Sequence, residues 1–165
     1  AGRGRYDRSW VSRQAEDILC SVLLRPRVAL AGELLMLAAL AVANVAEDLG
    51  VDVGIKWPND VQIEGKKLAG VIAESKTGPE LTVGDGAIGS GSSEASVDRI
   101  TAVIGIGMNI NFDPESSTGM APNSTSLASE LGRQLDRREV FEMLMQSLDN
   151  HYSAITIYSF CIIIW

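Results

Sequence analysis

An α+β fold, with a mixed, mostly antiparallel sheet and its helices packed on one side, is what this sequence predicts. The order of elements carries the prediction: a strand, a long helix, three or more strands, then a second helix, with no internal repeat. Two features sharpen it. The central strands are separated by turn residues rather than by crossover helices, and the 165 residues suffice for one domain with its own core.

Composition narrows the function. The chain is 46% hydrophobic and 21% charged, ordinary for a globular protein. Fourteen basic against 21 acidic residues leave a net charge of −7, which disfavours nonspecific binding to nucleic acid. Cys20 and Cys161 are far apart and unpatterned, which fits a reducing cytoplasm and neither a metal site nor a disulfide framework. With His151 as the one histidine, a Ser-His-Asp centre or a multi-histidine metal site is poorly supported. No signal peptide opens the chain, and Ala1 followed by arginine-rich sequence is expected to be the start of a fragment.

Gly2 to Ser12 reads as a loop, with Arg3, Arg5 and Arg8 against the single acid Asp7. Alternating glycines let backbone N–H groups approach an anion, arginine forks hold carboxylate or phosphate, and Trp10 offers a flat face for a ring. The bland alternative is a basic terminus without a ligand. Asp17 to Arg25 is strand-like, with Ile18, Cys20, Val22 and Leu24 on one face, and Pro26 ends it. Val28 to Ala46 is almost entirely apolar and rich in Leu, Met and Ala, which predicts a helix. Glu33 inside it and Glu47-Asp48 after it argue for a helix buried in protein, not membrane, and Gly50 is its stop.

Val53 to Trp57 reads as extended, Pro58 fixes its own φ, and Asn59-Asp60 can turn the chain. Val61-Gln62-Ile63 alternates like a strand, Glu64-Gly65 is a turn pair, and Leu68 to Glu74 reads as a buried strand. This hairpin is expected to bring Asp60 and Lys67 to one end of one sheet, where an anion can be held. Each residue has a bland reading too: Trp57 as a core aromatic, Asn59 and Asp60 as turn formers, Lys66 and Lys67 as a solvated tip. Ser75 to Asp98 reads as a Gly/Ser-rich surface connection, with Leu81-Thr82-Val83 a short strand in it.

Ile100 to Asn111 is a strong strand signal that would place Asn109 and Asn111 on one face. Ser124-Thr125-Ser126 reads as a cap for a following helix. Arg137 to Ile155 is an amphipathic helix through Val140, Phe141, Leu144, Met145 and Leu148, with His151 on its surface. Ile155 to Trp165 is apolar but too short to span a bilayer, and reads as an aggregation-prone strand or a stretch foreign to the domain.

Three motifs in order resemble one family. Gly2-Arg3-Gly4-Arg5-Tyr6-Asp7-Arg8-Ser9-Trp10 is similar to a Gly-Arg-Gly-Arg-x-Gly-Arg-x-Trp ligand loop, with Asp7 where the pattern has glycine. Lys56-Trp57-Pro58-Asn59-Asp60 with Gly65-Lys66-Lys67-Leu68-Ala69-Gly70, and Gly105-Ile106-Gly107-Met108-Asn109-Ile110-Asn111, complete the set. Together they resemble the central catalytic domain of biotin–protein ligases, also called biotin–[acetyl-CoA-carboxylase] ligases, over residues 1–154; the tail 155–165 does not.

The resemblance implies a fold like that of class II aminoacyl-tRNA synthetases and of biotin–lipoate ligases. It also implies ATP-dependent ligation of biotin to a lysine of a biotin carboxyl carrier domain through biotinyl-5′-AMP, with ATP and Mg²⁺ as cofactors. In that scheme Lys67, Asp60 and Arg5 are catalytic, and Asp60 is also the candidate Mg²⁺ ligand. Gly2, Arg3, Gly4, Arg5, Arg8, Trp10, Lys56, Trp57, Asn59, Lys67, Gly70 and Asn109 bind biotin or its adenylate. Partners would be biotin, ATP and the carrier domain, with neither nucleic acid nor membrane, and with a homodimer left open. Family members also carry an upstream Ser-Thr-Asn motif and a glutamine at the biotin pocket; neither occurs here, so the chain alone is expected to lack part of that pocket. A lipoate or octanoate acyl-transfer relative, or a non-catalytic biotin-binding fragment, is the alternative.

Overall fold

The computed structural model describes residues 2–4, 9–76, 99–112 and 123–161, with Gly2, Arg3, Ser9, Lys76 and residues 157–161 described by backbone alone. Two sheets are present among the described residues. β1 (Gly2–Arg3) and β2 (Ser9–Trp10) pair antiparallel, Gly2 opposite Trp10. The predicted ligand loop is therefore framed by a small hairpin rather than irregular throughout; Arg5 and Arg8 lie outside the described residues.

The main sheet comprises β3 (Ile18–Leu24), β4 (Gly54–Lys56), β5 (Asp60–Ile63), β6 (Lys66–Lys76) and β7 (Thr101–Met108), in the order β3-β7-β6-β5-β4. Every neighbouring pair is antiparallel. Among the described residues the parallel contribution to the expected mixed sheet is a single bridge between Lys67 and Ser124. The strand expected at Leu81 to Val83, and the connection around it, lie outside the described residues.

Helix α1 (Leu34–Asp48) lies on one face of this sheet and α3 (Arg137–Cys161) packs against α1. The core between α1 and the sheet joins Leu34, Leu37, Ala38, Ala41, Val42 and Val45 to Ile18, Val61, Val71, Ala102, Ile104, Ile106 and Met108. The alanines allow close approach, while each fully buried Val, Leu or Ile contributes about 1.5–3 kcal/mol. α1 starts six residues later than the apolar run does. Val28–Leu30 is a separate 3₁₀ turn, and Gly32, a weak helix former, falls in the gap. At the other end Gly50 has φ +90°, the left-handed stop expected of it.

Val140, Leu144 and Leu148 form the buried stripe of α3. His151 is half-buried, not on the open surface: its Nε2 lies 3.0 Å from Asn44 Nδ2 on α1. The helix runs on to Cys161, so the apolar tail begins as helix and not as a strand. Short helix α2 (Leu127–Leu131) is capped as expected, Ser126 Oγ accepting from Ser129 N–H at 3.2 Å. None of the helices among the described residues is long and apolar enough to cross a membrane.

The opposite face of the sheet is open. Leu19, Leu23 and Val103 point to it with 42%, 61% and 38% of their surface exposed. The candidate site lies on this face.

Candidate active site

The register of the sheet builds the site's floor. Asp60 pairs with Gly70, Gly70 with Gly107, and Gly107 with Leu19, so one row crosses four strands on the open face. Two adjacent glycines leave a shallow trough in that row. Trp10 fills it: a Cβ added at Gly107 would fall 2.7 Å and 2.8 Å from indole Cδ2 and Cε2, and one at Gly70 3.0 Å from Cζ3. A side chain at Gly107 would force the ring to move, and one at Gly70 would crowd it.

Lys67 reaches this row through a β-bulge. In a regular strand, residues three apart face opposite sides. Between Val61 and Gln62 the register shifts, so that Val61 pairs with Ala69 while Gln62 pairs with Lys67. The extra residue, Leu68, is fully buried, and beyond it the facing parity flips. Lys67 therefore shares a face with Gly70, and its Nζ lies 3.0 Å from where a Gly70 Cβ would be. Nζ is 2.6 Å from Asp60 Oδ1 and 5.4 Å from the Trp10 ring centroid. The expected meeting of Asp60 and Lys67 at one end of one sheet is thus found, with an indole beside it.

The remaining predicted residues are placed as follows. Lys56 is exposed and pairs with Asp60 in the β4–β5 hairpin. Trp57 is 77% exposed, so it is not the core aromatic that one reading made it; its peptide bond to Pro58 is cis. Asn59 is spent largely on structure: Nδ2 donates to the Val71 carbonyl at 3.0 Å, and Val71 N–H donates to the Asn59 carbonyl at 2.9 Å. Asn109 and Asn111 follow β7 instead of standing on one strand face, because the strand ends at Met108. Asn111 holds the loop before α3, donating to the Leu135 carbonyl and accepting from Leu135 N–H, both at 2.9 Å. Asn109 is 5% exposed, and its amide donates to the Thr125 carbonyl at 2.9 Å.

Sequence reading missed Asp17. It is 5% exposed, and Oδ1 accepts from Ile110 N–H at 2.8 Å, tying the segment after Trp10 to the end of β7. Burial raises its pKa above the ordinary carboxylate value, opposed by hydrogen bonds from Ile110, Ser12 and Phe112. Asp17 borders an open cleft of about 580 Å³ beside Trp10, also lined by Ser12, Arg13, Leu19 and Arg137. An acid directly before a strand was its one signal, and the pairing that buries it is long-range.

The described residues do not by themselves build a Mg²⁺ site at Asp60. No group of three or more His, Cys, Asp or Glu among them could hold a metal ion, and Asp60 Oδ1 is engaged by an ammonium. What the row offers is a fixed cation beside an indole that lies on the glycine backbone. The cation can there approach an anionic ligand, and the indole a planar one.

Comparison with known proteins gives a consistent picture. The chain is 33% identical over 157 residues to the bifunctional ligase/repressor BirA of Bacillus subtilis, covering 92% of this chain and 43% of that protein. It is 31% identical over 171 residues to the biotin–[acetyl-CoA-carboxylase] ligase of Paracoccus denitrificans, covering 97% and 62%. Among solved structures it resembles the biotin protein ligase from Aquifex aeolicus in complex with biotin and ATP, with TM-score 0.66, 26% identity, and 91% and 55% of the two chains covered. The chain thus spans about half the length of these relatives. A model of the biotin/lipoate A/B protein ligase family matches residues 1–91, more than half of the sequence, and the chain belongs to that family.

Proposed function

We propose that this chain carries the carboxylate-activating centre of a biotin protein ligase. In the first step a biotin carboxylate oxygen attacks the α-phosphorus of ATP, forming biotinyl-5′-AMP and releasing pyrophosphate. In the second, a lysine amine of a biotin carboxyl carrier domain attacks the acyl carbon, and AMP leaves. The observation that carries this reading is the Lys67–Asp60 pair at 2.6 Å over the Gly70–Gly107 floor.

Both steps gather negative charge between a carboxylate and a phosphate. Lys67 supplies a positive charge there, and Asp60 holds its ammonium in place before substrate arrives, which is how a site stabilises a transition state without reorganising. Trp10 walls the same space. Arg3, Arg5 and Arg8 would hold the phosphates from the β1–β2 hairpin, and Mg²⁺ would arrive on the phosphates of ATP rather than in a protein cage. The named relatives support biotin over lipoate as the acid. The cytoplasm is the compartment in which unpaired Cys20 and this chemistry belong.

The test is exchange of labelled pyrophosphate into ATP, run with biotin, with lipoate and without acid. Exchange that requires biotin supports the reading. Exchange with lipoate alone would move the protein to the other branch of the family, and nucleotide-independent biotin binding without exchange would remove the activating chemistry.

A further inference from the structure

The indole of Trp10 lies on the glycine row, yet no hydrogen bond of the ring fixes it there. Its Nε1 is buried without a hydrogen-bond partner among the described residues. The chain before it gives no anchor either: among the described residues β1 and β2 form a sheet of their own, with no backbone bridge to the five-stranded one. The hold comes from the C-terminal side, where residues 13–17 are fastened to the segment after β7 and to the start of α3. Asp17 Oδ1 accepts from Ile110 N–H at 2.8 Å, and the Glu16 carbonyl accepts from Asn111 N–H at 3.0 Å. Arg137 Nη1 donates to the Asp17 carbonyl at 3.3 Å, and the Arg13 guanidinium stands 5.1 Å from the centroid of the Phe112 ring. Between Trp10 and these bonds the chain turns through Ala15, whose φ is +66°. Left-handed backbone is unfavourable for alanine and persists only where the surrounding contacts hold it. Among residues 11–17 Asp17 alone is buried, with 5% of its surface exposed.

We propose that Asp17 is a positioning residue for Trp10: its carboxylate pins the strained 13–17 turn to the segment after β7 and so seats the indole on Gly70 and Gly107. Without that pin the turn relaxes toward right-handed backbone, and the chain that carries Trp10 moves off the row. Asp17 acts through the indole and not by touching substrate. The inference rests on the reading of Trp10 as a wall of the site given under Proposed function, but its structural half stands without it.

Two measurements on the full chain test it. The first follows the amide resonances of Gly70 and Gly107, which the indole shifts because it lies against both. Trp10→Leu gives the positions they take without the ring. Asp17→Ala is expected to move both most of the way to those positions. Asp17→Asn, which keeps an oxygen for Ile110 N–H, is expected to leave them near the parent's. Asp17→Leu, which has the branching of aspartate without its acceptor, is the second variant should Asp17→Ala not fold. Parent-like resonances for both glycines in the folded variant that lacks the acceptor overturn the proposal, whether or not the chain is active.

The second compares pyrophosphate exchange in Asp17→Ala, Trp10→Ala and the double variant. Asp17→Ala is expected to lower kcat/KM for biotin about 10- to 100-fold, chiefly through KM, with Asp17→Asn restoring it. Once Trp10 is gone, losing Asp17 is expected to add nothing. A loss that multiplies with that of Trp10→Ala would show that Asp17 acts by another route and would overturn the proposal. Absence of biotin-dependent exchange in the parent would refute the proposed function and leave the resonance test to decide this inference.

Discussion

Gly107→Ala puts a methyl group where the indole of Trp10 lies. The added Cβ would sit 2.7 Å from Cδ2 and 2.8 Å from Cε2, whereas carbon atoms rest about 3.5–4.0 Å apart. The ring must retreat by about 1 Å. Overpacking of this kind costs about 1–3 kcal/mol. Displacement also forfeits the contact of Lys67 with the ring, worth about 0.5–1 kcal/mol. The assay is urea unfolding of four proteins: parent, Gly107→Ala, Trp10→Ala and the double variant. Once the indole is absent the three atoms nearest the methyl are gone, so Gly107→Ala is expected to become nearly neutral, with a coupling of more than about 1 kcal/mol. Gly105→Ala is the control. Its Cβ would come about equally close to another group, 2.8 Å from Ile72 Cγ1, so a cost of its own is expected, but one independent of Trp10. Equal destabilisation by Gly107→Ala with and without Trp10 would refute the packing of the indole on the glycine row.

Lys67→Ala is expected to lower biotin-dependent pyrophosphate exchange far more than it weakens biotin binding, since a cation matched to developing charge acts on rate; equal losses in both would assign Lys67 to ground-state binding. Asp17→Asn should stabilise the protein increasingly as pH rises. Burial raises the Asp17 pKa above 3.8, so its favourable, protonated contribution is complete below that value and is lost as pH climbs through the raised one. Asparagine still accepts from Ile110 N–H and does not ionise, and parallel pH–stability profiles for the two proteins would contradict this. Ser126→Ala removes the cap of α2 and should cost about 1 kcal/mol in urea unfolding, with Ser126→Asp restoring part of it.

Local chemistry was legible wherever one residue's neighbours in sequence are its neighbours in space. The β5–β6 hairpin followed from Glu64-Gly65, the end of α1 from Gly50, the cap of α2 from Ser126, and the nearness of Asp60 and Lys67 at one end of the sheet from the hairpin, though their common face needed the bulge. The start of α1 was misread because an apolar run says that residues are buried without saying in which conformation; Gly32 decides for a break that hydropathy does not register. Trp57 was misweighed for a related reason. An aromatic beside a strand can face either way, and only its place at the β4–β5 turn leaves it outside the core.

By itself the sequence determined the α+β order of elements and the family, and it pointed to the nearness of Asp60 and Lys67, because propensity, turn chemistry and motif spacing are properties of short stretches. The direction in which those side chains act was decided by tertiary structure. Lys67 and Gly70 are three apart and would face away from each other in any regular strand; a bulge against β5 turns them to one face. Gly70 and Gly107 become one trough only because β6 and β7 pair in that register, and Asn109 turns inward because Thr125 returns beside Lys67. Register, parity and burial depend on contacts between residues far apart in the chain, and a side-chain period of two makes each of them sensitive to a single residue's shift.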